Sequence, residues 1–94
     1  MSEPDPVLSQ FREQVSETDR AILGAVNMRL ELVAQIKAYK ASRGIDFLDP
    51  ERERSMLDDL ARTNAGPLSA EGLHELFTTI LDLTKREVAD GGPR

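Results

Sequence analysis

The feature that most constrains the fold of this chain is a long first segment with a helical pattern. It runs from about Val7 to Arg43 and contains one glycine, Gly24, and no proline. Within it, apolar side chains recur at alternating spacings of three and four residues, the seam of an amphipathic helix. The main seam residues are Leu8, Phe11, Val15, Ile22, Val26, Val33 and Ile36. We predict one helix of about 35 residues, which at about 1.5 Å per residue is about 50 Å long.

A helix of that length does not fit inside a compact monomer of 94 residues. A globular domain of this size has a radius of gyration of about 12 Å, so the helix would project well beyond it. A monomer of this size buries only about 60–65% of the surface of its unfolded chain, so its stability is marginal unless a partner adds to the core. The sequence therefore predicts that a second copy covers the helix, in a homodimer.

Two shorter helices are predicted in the rest of the chain. Asp49 has the residue type of an N-cap, with Pro50 as the first helical residue. This second helix ends near Thr63-Asn64, and Ser69 caps a third helix that ends before Gly91-Gly92-Pro93. The expected inward-facing residues are Met56, Leu57, Leu60, Ala61, Leu73, Leu76, Phe77, Ile80, Leu81 and Val88. The prediction is an all-α, three-helix protomer that forms one domain over residues 1–94, with an ordered core over about residues 7–89.

Composition and charge exclude several classes of site. The chain has no cysteine, which excludes disulfides and thiolate chemistry, and its single histidine cannot build a histidine-based metal cluster. The formal net charge of −5 argues against a nucleic-acid partner, because phosphate binding needs a basic face. No apolar run approaches the roughly 20 residues of a membrane span, and the first residues lack a signal-peptide pattern. We expect a cytoplasmic protein without a metal.

Two cations interrupt the apolar seam of the first helix. Arg29 and Lys40 occupy positions where the pattern calls for buried apolar side chains. They are eleven residues apart, almost a whole number of turns, so they point the same way about 16 Å apart. A buried cation without a partner costs several kcal/mol, so an anion must meet them. The alternatives are that both reach solvent at the edge of the seam or pair with nearby acids.

Arg12 is a third cation on the same helix. It lies seventeen residues before Arg29, about 25 Å along the axis and on a different face. It cannot easily join Arg29 and Lys40 around one small ligand within its own chain. If Arg12 serves a site, that site belongs to the partner subunit. The alternative is an exposed arginine that pairs with Glu13 or Asp19.

Polar residues also lie at the start of the second helix and inside the third. Asp49, Arg52 and Glu53 are on the first turn of the second helix, one turn before its inward face. Such residues also serve helix starts by capping alone. Thr84 interrupts the apolar stripe of the third helix, where a lone threonine usually bonds back to its own helix. Together, three cations, a polar helix start and one hydroxyl on otherwise apolar faces indicate a site for an anion.

An ordered set of short motifs runs through the chain. Its members are Phe11-Arg12-Glu13-Gln14-Val15, Asp19, Arg29, Lys40, Asp49-Pro50-Glu51-Arg52-Glu53, Asn64-Ala65-Gly66-Pro67-Leu68-Ser69 and Leu76-Phe77-Thr78-Thr79-Ile80. Their order and spacing over about residues 7–88 resemble the all-helical (type II) chorismate mutases. The resemblance implies an intertwined three-helix homodimer with two identical sites. Such enzymes convert chorismate to prephenate by a unimolecular Claisen-type rearrangement, without a cofactor.

The resemblance also implies roles for the matching cations. Arg12, supplied by the other subunit, would bind the side-chain carboxylate of the dicarboxylate substrate. Arg29 would bind the ring carboxylate, with Thr84 standing where the family often has serine. Lys40 would donate to the ether oxygen and help to hold the side-chain carboxylate.

The remaining substrate-binding positions include one departure from the family. The resemblance implies that Asp49 and Glu53 contact the C4 hydroxyl and that Arg52 helps to order the pocket. Val88 stands where the family usually has Gln or Glu, whose side chain is a second donor to the ether oxygen. Valine cannot donate, so either Lys40 acts alone, the helix shifts, or the substrate or activity differs.

The chain departs from the family at two further positions. Lys37 stands where the family usually has a small residue, and Leu48 replaces what is sometimes a basic residue. The Val88 departure keeps open a 4-amino-4-deoxychorismate mutase or an isochorismate-pyruvate lyase relative, in which the dicarboxylate contacts would be the same. A further alternative is a non-catalytic helical dimerisation module, which predicts no binding of such dicarboxylates.

Overall fold

Three α-helices make up the protein, whose computed structural model describes residues 5–89. Helix α1 is Pro6–Ser42, α2 is Pro50–Thr63 and α3 is Ala70–Ala89. The predicted all-α, three-helix protomer with one very long first helix is confirmed. The expected end of the third helix, before Gly91-Gly92-Pro93, lies outside the described residues. None of these three helices is long and apolar enough to cross a membrane.

A side-chain cap begins each helix. The carboxylates of Asp5 and Asp49 accept backbone N–H groups of the first turn, Asp5 at 2.9 and 3.2 Å and Asp49 at 3.1 Å. The hydroxyl of Ser69 accepts the N–H three residues on at 3.0 Å. Pro6 and Pro50 follow the two aspartates at the first helical position, where a backbone N–H has no hydrogen-bond partner within the helix. Asp49 and Ser69 are the predicted caps, and Asp5 adds a third.

Helix α1 ends at a glycine turn that directs the chain toward α2. Gly44 has a φ of +67°, a conformation that residues with a side chain rarely adopt. The turn lets the N–H of Ile45 donate to the carbonyl of Lys40 at 2.9 Å, in the pattern of a Schellman motif. The predicted role of Gly44 just beyond the helix end is confirmed.

Helix α3 is the central element, because it packs against both α1 and α2. The buried residues in the described part of the chain are Leu73, Thr84 and Val88, all on α3. Within α1 no residue is fully buried. Ten large apolar or aromatic side chains of α1 are exposed by 43–62%, namely Val7, Leu8, Phe11, Val15, Ile22, Leu23, Met28, Leu32, Ile36 and Tyr39. The predicted seam of α1 is therefore not covered by its own chain.

The dimensions of the protomer also show that the chain does not form a compact domain around α1. Its radius of gyration is 17.8 Å and its extents are 64 × 32 × 17 Å, whereas a compact domain of this length would have a radius of gyration of about 12 Å. Leu76 of α3, expected to face inward, is 46% exposed. The single chain is elongated and does not itself cover much of its apolar surface.

Candidate active site

A cavity of about 180 Å³ lies where the C-terminal half of α1, the start of α2 and the later turns of α3 meet. It is lined by Arg29, Val33, Ile36, Lys40, Phe47, Leu48, Asp49, Arg52, Glu53, Met56, Leu81, Thr84 and Lys85. Six of the eight predicted site residues are in this set, namely Arg29, Lys40, Asp49, Arg52, Glu53 and Thr84. The fold thus brings together side chains as far as 55 residues apart in the sequence.

Arg29 links all three helices within the cavity. Its Nη1 donates to Oγ1 of Thr84 at 2.6 Å, and its Nη2 lies 3.8 Å from Sδ of Met56. Thr84 is 5% exposed and also donates to the carbonyl of Ile80 at 2.7 Å. The back-bond expected of a threonine within a helix is present, and the same oxygen accepts from Arg29. A guanidinium held from two sides is preorganised to bind a planar carboxylate.

Lys40 lies at the other end of the same stretch of α1. Its side chain is half-buried, and Nζ donates to the backbone carbonyl of Phe47 at 3.3 Å. Phe47 belongs to the connector that the Gly44 turn directs back over the cavity. One carbonyl uses one of the three N–H groups of an ammonium, so Lys40 keeps donors for a ligand.

The first turn of α2 supplies the polar residues opposite α1. Asp49 both caps the helix through the N–H of Arg52 and lines the cavity. Arg52 and Glu53 follow on the same turn and also line it. Asp49 therefore has the capping role that was the alternative explanation for these polar residues. All three residues nevertheless line the cavity.

Lys85 is a cavity residue that the sequence pattern did not single out. Its Nζ lies 3.0 Å from Oε2 and 3.1 Å from Oε1 of Glu53, so the ammonium bridges both carboxylate oxygens and joins α3 to α2. The signal for it was present, because Lys85 follows Leu81 by four residues and therefore falls on the apolar stripe of α3.

The cavity carries a surplus of positive charge. Four of its lining side chains are cationic (Arg29, Lys40, Arg52 and Lys85) and two are acidic (Asp49 and Glu53), which leaves a formal charge of +2. Among residues 5–89, the ion pairs within 4.0 Å include Lys85 with Glu53 but none of the other three cations. Over the same residues, no group of three or more His, Asp or Glu side chains is placed to hold a metal ion. The arrangement suits a small dianion.

Two predicted site residues do not line this cavity. Arg12 is exposed on the N-terminal half of α1, about 25 Å along the helix axis from Arg29. Val88 is 1% exposed in the core, and its carbonyl accepts Nζ of Lys37 at 3.0 Å. The side chain of Lys37 thus holds the end of α3, and Val88 is not among the residues that line the cavity.

The sequence of the chain is similar to a known family and to two known proteins. The chain matches the sequence model of the family described as "Chorismate mutase type II" over residues 11–88. It is 42% identical over 50 residues to the T-protein of Enterobacter agglomerans, a match that covers 53% of this chain and 13% of that protein. It is 29% identical over 96 residues to the bifunctional chorismate mutase/prephenate dehydratase of Aquifex aeolicus, covering 93% of this chain and 26% of that protein. The matches thus span about an eighth and a quarter of these two longer proteins.

Two solved structures are similar over most of their length. Form II of chorismate mutase from Thermus thermophilus superposes with a TM-score of 0.85 at 28% identity, covering 92% of this chain and 98% of that one. Form I from the same organism gives a TM-score of 0.80 at 31% identity, with 82% and 96% covered. Fold and sequence pattern therefore agree over nearly the whole described chain.

Proposed function

We propose, because this chain belongs to the type II chorismate mutase family, that it converts chorismate to prephenate. The observation that carries the proposal is the cavity that gathers Arg29, Lys40, Asp49, Arg52, Glu53 and Thr84 from three helices. Its formal surplus of two positive charges matches a dicarboxylate. The proposal places the protein, an isomerase without a cofactor, at the prephenate branch of aromatic amino acid biosynthesis.

The chemistry explains why such a site needs cations and no nucleophile. In a Claisen-type rearrangement the ether C–O bond breaks as a new C–C bond forms within one molecule, so no group is transferred to the protein. The protein must hold the substrate in the reactive conformer and stabilise the negative charge that develops on the ether oxygen. Fixed donors in a pocket shielded from water do both.

Arg29 and Lys40 are the residues that this chain offers for those two tasks. Arg29 is held in place by Thr84 and Met56, so its fork is available to bind the ring carboxylate through paired hydrogen bonds. Lys40 has free donors for the ether oxygen and the side-chain carboxylate. Because the valine side chain at position 88 has no hydrogen-bond donor, Lys40 is the donor to the ether oxygen that this chain supplies.

The first turn of α2 is proposed to bind the opposite side of the ring. Asp49 and Glu53 supply acceptors for the C4 hydroxyl, and Arg52 orders the polar wall that they form. Glu53 is half-buried beside a cation, which favours a substrate that offers its carboxylate a hydrogen bond, since an unmet shielded polar group is unfavourable.

We also propose that the active form is a homodimer in which the partner's Arg12 completes each site. Helix α1 contains no buried residue, and its N-terminal half presents exposed Phe11 and Val15 beside Arg12. A second copy that covers this surface would carry its own Arg12 toward the first chain's cavity. The single-domain assignment over residues 1–94 and the cytoplasmic location stay predictions.

The proposal is tested by the disappearance of chorismate with the wild-type protein and with Lys40→Ala. Loss of a preorganised donor to the developing charge is expected to lower turnover about 100- to 1,000-fold while the protein stays folded. Arg43→Ala is the matched control, because Arg43 lies three residues further along, outside the cavity, with its guanidinium 5.8 Å from the ring of Tyr39. It should retain wild-type turnover.

Parallel assays with 4-amino-4-deoxychorismate and isochorismate separate the proposed reaction from its alternatives. The wild-type protein should prefer chorismate to both. Equal turnover by Lys40→Ala and the wild type would reject the assigned site, and a wild-type protein that binds none of the three dicarboxylates would favour the non-catalytic module.

A further inference from the structure

The Glu53–Lys85 pair differs from the other ion pairs of the described chain. Its side chains are 28% and 39% exposed, whereas those of the pairs Arg20–Glu13, Arg62–Asp59 and Arg86–Glu87 are 53–72% exposed. Charges that are partly shielded from water and salt interact more strongly than exposed ones. The cavity wall therefore holds an ion pair whose field acts inside the cavity.

The geometry of the pair limits what Glu53 can accept. Nζ of Lys85 lies almost equally far from the two carboxylate oxygens, at 3.0 and 3.1 Å. The ammonium thus occupies the space in front of the carboxylate, and each oxygen keeps a lateral lone pair. A ligand group that donates to one of these oxygens at about 3 Å lies within about 6 Å of the ammonium, because both touch the same carboxylate.

Given the proposed function, in which Glu53 meets the C4 substituent, we infer that Lys85 determines which substituent the site accepts. A hydroxyl is neutral and can donate to Glu53 beside the ammonium without an electrostatic penalty. An amino group at the same carbon is protonated at neutral pH. Glu53 attracts its positive charge, and Lys85, within about 6 Å, offsets much of that attraction. Lys85 therefore selects hydroxylated dicarboxylates over their aminated counterparts.

A purely structural role for Lys85 makes a different prediction. As a tie between α2 and α3, the pair would stabilise the fold equally for every substrate. Its loss would then lower stability, and activity on all substrates together. Only a charge that faces the bound substrate changes the ratio of activities between two substrates that differ in charge at one position.

The test compares kcat/KM for chorismate and for 4-amino-4-deoxychorismate in the wild type and in four variants of the full chain. Lys85→Met keeps most of the length of the side chain without its charge, and Lys85→Gln keeps a donor to Glu53, should the first variant fold poorly. Lys85→Arg restores the charge. Arg86→Met removes one positive charge from the next residue, which is exposed and outside the cavity.

The wild type should prefer chorismate, and this ratio should fall at least about tenfold in Lys85→Met and Lys85→Gln. Lys85→Arg and Arg86→Met should keep the wild-type ratio. A wild type that converts chorismate while both neutral variants keep its ratio within about twofold overturns the inference alone. A wild type that neither converts chorismate nor binds it in calorimetry overturns the proposed function, and the inference with it.

Discussion

The two halves of helix α1 share one apolar seam but differ in what covers it. In residues 26–42, seven side chains are half-buried, among them Arg29 and Lys40, because α3 and the start of α2 lie over that half. In residues 6–25, Ser16 is the one half-buried side chain, and Phe11 and Val15 are 60% and 59% exposed. One continuous helix therefore runs from a packed region that lines the cavity into a region whose apolar face its own chain leaves uncovered.

The difference teaches that a periodic seam specifies a face of a helix but not the element that covers it. Spacing alone gives Phe11 and Val33 equal standing as seam residues. Within residues 5–89, α2 and α3 supply the cover, and those two helices reach one half of α1. We therefore expect substitutions in the uncovered half to act through association and those in the covered half to act through the fold and the cavity.

The largest effect is expected from Val15→Asp, in the uncovered half. If a second copy buries Val15, an unpaired carboxylate there costs several kcal/mol. The dimer should dissociate and most chorismate turnover should be lost with it, with thermal stability that no longer depends on protein concentration. Sedimentation velocity and melting curves over a range of concentrations measure this.

Gln10→Asp is the matched control for that substitution. It adds the same charge to the same half of α1, but five residues away, about 140° around the helix. It should remain dimeric and active. A dimeric, active Val15→Asp protein would show that the exposed apolar face of this half has another purpose.

An intermediate effect is expected from mixing Arg12→Ala and Arg29→Ala chains. One substitution lies in each half of α1, so this experiment tests both halves together. Each variant alone should lose at least about 100-fold in turnover. If each site combines Arg29 of one chain with the partner's Arg12, a heterodimer contains one intact site. Free exchange of equal amounts should then restore about a quarter of wild-type activity, because half of the dimers are mixed. No recovery after verified subunit exchange would rule out shared sites.

The smallest effect is expected from a pair of charge removals, one in each half. Lys37→Met removes the hydrogen bond from Nζ to the carbonyl of Val88 and the contact with the Phe47 ring, and should lower the free energy of unfolding by about 1–2 kcal/mol. Arg20→Met removes an exposed pair with Glu13 and should change it by less than about 0.5 kcal/mol. Chemical denaturation measures both, and equal effects would mean that Lys37 has no role in anchoring α3.

Local features of the chain were predictable because their causes are local. Asp49 and Ser69 indicate helix starts, and Gly44 indicates a helix end, since each meets backbone groups within a few residues. Arg29 and Lys40 were recognisable as site candidates because helical spacing fixes their common face. The helix pattern also singled out Asp49, Arg52, Glu53 and Thr84 as polar residues near apolar faces, and the resemblance then implied their roles in one site.

The unpredicted features depend on contacts between helices. In the sequence, Lys85 does not differ from the other charged residues of α3. Its pairing with Glu53 depends on how α2 packs against α3. The anchoring role of Lys37 likewise needs the register between α1 and α3. Thr84 makes one local hydrogen bond, to the carbonyl of Ile80, and accepts another from Arg29, which is 55 residues away in the sequence. Only the first depends on α3 alone.

The sequence by itself determined three helices, their caps and a first helix too long for one chain to cover, because backbone propensity, capping and periodicity act over one or two turns. The tertiary structure decided which half of α1 is covered, which cations meet in the cavity and which acid Lys85 neutralises. Those outcomes depend on how separate helices pack and on the register between them, and the sum of many side-chain contacts sets that register rather than any local pattern.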